Sequence, residues 1–100
     1  LDGKAISDSS KVLVSLAARV ENQNMGWNAN RTSVGNQWGT GPTVAEIVKA
    51  TLTVPGTGWK AQALVGRGSP VAEISGRPEG SGTAFRLGDK NPSLWFLITR

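Results

Sequence analysis

The sequence predicts an all-β domain, an antiparallel β-sandwich of about seven to nine short strands. Three observations carry that prediction. Thirteen glycines and five prolines punctuate the 100 residues. The turn clusters they form recur every ~8 to 12 residues, the spacing of short strands joined by tight turns. Between the turns, apolar residues alternate with a period of two and valine and threonine are frequent, as suits a pleated, half-buried surface. A chain of this length supports one core, so residues 1–100 are expected to form a single module.

Leu1 to Ile6 reads as a short edge-like segment, followed by the turn cluster Ser7-Asp8-Ser9-Ser10. From Lys11 to Glu21 the side chains of Val12, Val14, Leu16, Ala18 and Val20 fall on one side, with Lys11, Ser15, Arg19 and Glu21 on the other. A helix would also gather Val12, Leu13, Leu16, Ala17 and Val20; the β-branched residues of the inward set favour a strand. Thr43 to Val54 reads as one bent strand or two, with a bulge or bend near Lys49 and Ala50. Pro55 to Gly58 is a turn, and Trp59 to Val65 a strand with Trp59, Ala61, Ala63 and Val65 on one face. Gly66 to Pro70 turns again, Val71 to Ser75 is a short strand, and Gly76 to Gly82 is a loop. Thr83 to Leu87 is a strand with Phe85 and Leu87 opposite Ala84 and Arg86. Ser93 to Arg100, SLWFLITR, is apolar on both faces and is expected to be a central strand with Trp95 in the core.

Composition excludes several chemistries. With no cysteine and no histidine, thiolate and imidazole metal sites, disulfides and the Ser-His-Asp and Cys-His mechanisms are all ruled out. Asp2, Asp8 and Asp89 are isolated, with no Asp-x-Asp spacing, so no cofactor is expected; a structural calcium held by backbone carbonyls would leave no trace and stays open. Glu46 and Glu73, the carboxylates inside expected strands, read as charges on solvated faces rather than a glycosidase pair, and no catalysis is expected. The net charge of +4 comes from Lys and Arg scattered singly between Lys4 and Arg100, without the stripe that tracks a nucleic-acid backbone. No apolar run approaches the ~20 residues that span a bilayer, so neither a membrane nor a nucleic acid is an expected partner.

The stretch ENQNMGWNANRTSVGNQWGTG, Glu21 to Gly41, concentrates the polar chemistry. Trp27 and Trp38 lie there among Asn28, Asn30, Arg31, Asn36 and Gln37. An indole offers an apolar face to the C–H face of a pyranose, and neutral amides donate and accept as hydroxyls do. The alternative is a long loop folded back on the sandwich, its tryptophans plugging the ends and its amides capping turns. Trp59, at the start of a strand beside a glycine-rich turn, either caps the core or stands at the sheet rim as a third stacking residue. Arg31 and Arg19 could fork onto sugar hydroxyls or onto a carboxylate such as Glu21.

Those residues, with the preceding KVLVSLAARV and the closing SLWFLITR, carry a resemblance. Arg19, Glu21 and Asn22, then Met25, Trp27 and Asn28, then Arg31, Thr32, Ser33 and Gly35, then Trp38 and Gly39, and finally Leu94 and Trp95 follow a recurring pattern. It is similar to that of the small C-terminal β-sandwich that follows the catalytic barrel in many bacterial glycoside hydrolases. Phe96 departs from it, standing where tyrosine is common. The resemblance implies an accessory domain, of jelly-roll or immunoglobulin-like layout, some relatives of which are carbohydrate-binding modules. The expected function is non-catalytic binding of plant β-glucans, cellulose-like or mixed-linkage, through Trp27, Trp38 and Trp59, with Asn28, Asn30, Arg31, Asn36 and Gln37 on the hydroxyls. Its expected partners are the polysaccharide and an attached hydrolase domain, in a secreted, monomeric module of a larger bacterial enzyme. The alternative is a structural domain that only packs on the catalytic barrel without binding sugar.

Overall fold

The computed structural model describes residues 1–100 and contains nine strands and no helix. In chain order these are β1 (Lys11–Ser15), β2 (Val20–Gln23), β3 (Thr40–Ala45), β4 (Ala50–Pro55), β5 (Lys60–Leu64), β6 (Pro70–Ile74), β7 (Arg77–Glu79), β8 (Gly82–Leu87) and β9 (Trp95–Thr99). They form three sheets, ordered β1-β9-β5-β6, β2-β3 and β4-β8-β7, and every pairing is antiparallel. The chain divides into two compact units, Leu1–Leu16 with Ile47–Arg100, and Ala17–Glu46.

The larger unit is a small β-sandwich. Alternation on β5, β8 and β9 turns Ala61, Ala63, Phe85, Leu87, Phe96 and Ile98 into one core shared by the four-stranded and three-stranded sheets. Val12 and Val14 of β1 and Leu52 of β4 pack against it from the edge strands. Phe85, Phe96, Leu87 and Ile98 are the largest fully buried side chains. Gly88 follows β8 with φ of +77°, and a Cβ there would run into the carbonyl oxygen of Val48, so both its backbone angle and its neighbour demand glycine.

Trp59 takes the core-capping one of its two expected places, and Trp95 leaves the core place expected of it. Trp59 is 5% exposed and belongs to the core. Its Nε1–H donates to Pro55 O at 2.7 Å, and the Arg100 guanidinium lies 4.4 Å from its ring centroid, so one face is core and the other is covered. That removes Trp59 from any sugar platform. Trp95 is instead 36% exposed, because Phe96 and Ile98 take the inward positions of β9 and their neighbours point to the other face. The strand is central in its sheet, as expected, but its tryptophan is not core.

Other boundaries differ for local reasons. The alternation that begins at Lys11 is sustained only to Leu16; Ala18 and Val20 are exposed, and pairing passes to the β2–β3 ribbon. The Gly76–Gly82 segment contains β7, which pairs with β8 from Arg77↔Ala84 to Glu79↔Gly82. Leu1 to Ile6 forms no strand. It is tied down by side chains: Asp2 accepts from Ser10 N at 2.8 Å, Ser9 Oγ at 2.8 Å and Ser10 Oγ at 3.2 Å. Arg100 holds the turn that follows from the other end of the chain, donating from Nε to Ser9 O at 3.0 Å and from Nη2 to Ser7 O at 2.7 Å.

The two tryptophans separate cleanly in stability. Trp59→Ala is expected to cost about 3–5 kcal/mol and Trp95→Ala about 1 kcal/mol, read from urea unfolding; equal losses would contradict the burial difference. Asp2 supplies an acid-dependent contact. The Ser10 amide, then the Ser9 hydroxyl, hold its carboxyl well below the ordinary 3.8, so the contact is fully present above that pH and is lost as pH falls through the lowered value. The Ser10 amide resonance should accordingly stay unchanged from neutral pH to about 4 and move only in stronger acid. Asp2→Asn should abolish that movement, and a midpoint at or above 3.8 in the wild-type chain would show that the contact does not form.

Candidate functional site

Residues Ala17–Glu46 form a unit in which Val34 is the one buried side chain. With so little apolar burial, hydrogen bonds set its shape. β2 and β3 provide the base, from Val20↔Ala45 to Asn22↔Thr43, with a register shift before Gln23↔Thr40. Asn22 joins three segments: its Nδ2 donates to Trp38 O at 3.0 Å and its Oδ1 accepts from Thr43 Oγ1 at 2.7 Å. Gly39, with φ of +70°, follows Trp38 and presses against Gln23 O where a Cβ could not fit.

Glu21 organises the first half of the loop. Its Oε2 accepts from Trp27 Nε1 at 3.0 Å and from Arg31 Nη2 at 3.1 Å, and the Arg31 guanidinium lies 4.8 Å from the Trp27 ring centroid. One carboxylate therefore satisfies the indole N–H and neutralises the cation that stacks on the same indole. Arg31 reaches this position from a positive φ of 55°. Arg31 meets the carboxylate of Glu21 through a single Nη2 contact and not a fork, while Arg19 lies 3.8 Å from Glu46 at an exposed site.

Asn28 and Asn30 hold the turn beyond it. Asn28 Oδ1 accepts from Thr32 N at 2.8 Å and Ser33 N at 3.3 Å, and its Nδ2 donates to Thr32 Oγ1 at 3.0 Å. Thr32 Oγ1 in turn donates to Asn30 Oδ1 at 2.8 Å. These are the local side-chain bonds by which Asn stabilises turns, and they take up much of the capacity assigned to sugar hydroxyls. Gln37 holds the loop through its backbone, donating to Val34 O at 2.9 Å and accepting from Gly26 N at 2.9 Å. Asn36 is exposed and makes no side-chain hydrogen bond within the protein.

Of the expected site residues, the loop unit therefore brings together Trp27, Arg31, Asn28 and Asn30 as an internally bonded network. Trp38 and Asn36 remain outward, and Gln37 is exposed with its side chain laid against Gly26. Trp38 is 63% exposed, the most accessible of the tryptophans. Trp59 lies in the sandwich core and belongs to neither group.

Two recesses of the larger unit contrast in their lining. A polar one of about 280 Å³ is lined by Glu73, Ser75, Arg86, Asp89, Lys90 and Asn91, with Arg86 and Lys49 each 3.6 Å from Asp89. No aromatic wall borders it. The other, about 200 Å³, lies among Leu13, Leu64, Val65, Gly66, Gly68 and Trp95. Sequence reasoning assigned none of these residues to a surface site. The signal was present in KVLVS and LWFLIT, where one set of alternating positions is core and the other is also apolar.

No protein-family model, curated protein or solved structure matches this chain.

Glu21→Ala should leave the Trp27 N–H and the Arg31 guanidinium without their shared acceptor. The expected loss is about 1–2 kcal/mol, tempered by the exposure of Arg31. The sharper readout is hydrogen exchange of the Trp27 indole proton, which should accelerate in the variant; unchanged protection would show that Glu21 does not hold the ring.

Proposed function

We propose that this chain is a non-catalytic accessory module that contacts β-glucan chains, cellulose-like or mixed-linkage, and keeps an attached glycoside hydrolase near its substrate. The observation that carries the proposal is Trp38: a largely exposed indole on a loop whose shape is fixed by its own hydrogen bonds. The backbone that carries this indole is already held by a hydrogen bond, so it need not be ordered when a sugar stacks, and the stacked face is the apolar side of a pyranose. Asn36 and Gln37, the exposed amides immediately before it, supply donors and acceptors for hydroxyls. Trp27, Asn28, Asn30 and Arg31 act in this reading as scaffold of the loop rather than as ligands, and Asn22 holds the Trp38 carbonyl. Tethering raises the effective concentration of the hydrolase at the polymer without any new contact at its catalytic site.

The experiment is affinity electrophoresis and calorimetry with soluble mixed-linkage glucan and cello-oligosaccharides. Wild-type protein should be retarded, and Trp38→Ala should bind at least several-fold more weakly with Tm within a few degrees, as expected for a surface substitution. Wild-type protein that shows neither retardation nor heat with any of these glucans would remove the proposal.

A further inference from the structure

A second surface is independent of Trp38. Alternation and register place Leu13 beside Leu97, and Leu64 beside Trp95, on the face of the four-stranded sheet that points away from the core. Leu13 is 45% exposed and Val65, like Trp95, 36% exposed, an apolar group on a face where alternation would ordinarily put polar residues. The recess beside Trp95 has a glycine wall: a Cβ on Gly66 would come within 3.7 Å of Trp95 Cζ3, and at Gly68 there is open space.

The rim has a charge of its own. Lys11 and Lys60 both pair with Thr99 from opposite sides, at one end of the same face, and Arg67 sits in the Gly66–Gly68 turn at the other. None of these three cations is in an ion pair. Glu73, opposite Gln62 on the outer strand β6, is the carboxylate on this face, and it too is unpaired. An apolar centre with an exposed tryptophan, bordered by three unpaired cations and one unpaired carboxylate and so net positive, has the anatomy of a protein interface.

We propose that this face docks a protein surface that projects one apolar side chain into the recess beside Trp95 and surrounds it with carboxylates facing Lys11, Lys60 and Arg67. A second copy of the chain is disfavoured, since it would bring another positive rim against this one. A glycan is disfavoured because the recess walls are aliphatic, glycine and indole, and on β1, beside Trp95, Ser15 is the single neutral polar partner for its hydroxyls. An aliphatic or aromatic side chain needs no such partner.

The test is to pan a phage-displayed peptide library against the 100-residue chain, with counter-selection on Trp95→Ala. Selected peptides should carry a Leu, Ile, Phe or Trp flanked by Asp or Glu, and should shift the amide resonances of Leu13, Gly66 and Gly68. Synthetic versions should bind at least ten-fold more weakly to Trp95→Ala, several-fold more weakly to the Lys60→Gln, Arg67→Gln double variant, and more weakly as salt rises. Leu13→Ser, assayed alongside, should also weaken binding, so the result does not rest on one tryptophan. Absence of any selected sequence, selection of basic or neutral peptides, or equal binding to Trp95→Ala would overturn the proposal. So would dimerisation abolished by Trp95→Ala in sedimentation, or perturbation of the same amides by polygalacturonate or dextran sulfate, which would assign the face to a second copy or to an acidic glycan. Loss of glucan binding at Trp38 would leave these results unaffected.

Discussion

Phe85 on β8 and Phe96 on β9 must both be removed from water, and they can be only if the two sheets of the larger unit close over them. That requirement orients each strand it touches. With Phe96 inward, Ile98 follows it and Trp95, Leu97 and Thr99 turn outward; with Phe85 inward, Leu87 follows and Arg86 turns to solvent. Pairing then transmits the choice across the sheet. Ala63 lies opposite Phe96 and Ala61 opposite Ile98, small residues where the large ones need room, and Val14 and Val12 complete the same rows from β1. The outward face of this sheet is the remainder of that arrangement, which is why its apolar residues occur as a contiguous group rather than singly.

The loop unit obeys a different constraint. It buries only Val34, so the entropy of ordering its long excursion has to be offset by polar contacts. Glu21 and Asn22, neighbours on β2, do this from one strand: Glu21 gathers Trp27 and Arg31, and Asn22 gathers Trp38 and Thr43. Their side chains lie on opposite sides of the ribbon because they are adjacent in a strand. One holds the indole of Trp27 by its N–H, whereas the other holds Trp38 by its backbone carbonyl and leaves that indole open. The difference between a structural tryptophan and an accessible one thus comes down to which of its groups the strand captures.

Fold class, strand count and most strand positions were legible in the sequence, since period-two alternation and glycine-proline punctuation are local signals. The facing of β9 was not. In SLWFLITR both alternating sets are apolar, so nothing local says whether Trp95 or Phe96 points inward, and a one-residue shift exchanges the two faces. The burial of Trp59 was hidden for a related reason: its cover, Arg100, is 41 positions away in the chain numbering. At the loop, residue types were legible but their allocation was not, because Asn28 and Asn30 carry the same donors and acceptors whether they meet Thr32 or a sugar. Only their bonds distinguish the two uses.

The same reasoning separates the two exposed tryptophans. Trp38 lies among amides and glycines, on a backbone held by a hydrogen bond at its carbonyl, so what it offers a ligand is an open ring with polar neighbours. Trp95 lies among Leu13, Leu64 and Val65, where the recess walls add apolar area and Ser15, its partner on β1, is the polar side chain beside it. A pyranose is amphipathic, with hydroxyls that must keep their hydrogen bonds, and it gains most where the ring and the amides are adjacent. An apolar side chain has no hydroxyl to satisfy and gains most where the ring has only apolar company. Exposure of an indole is common to both places, and the chemistry of the residues around it assigns them to different ligands.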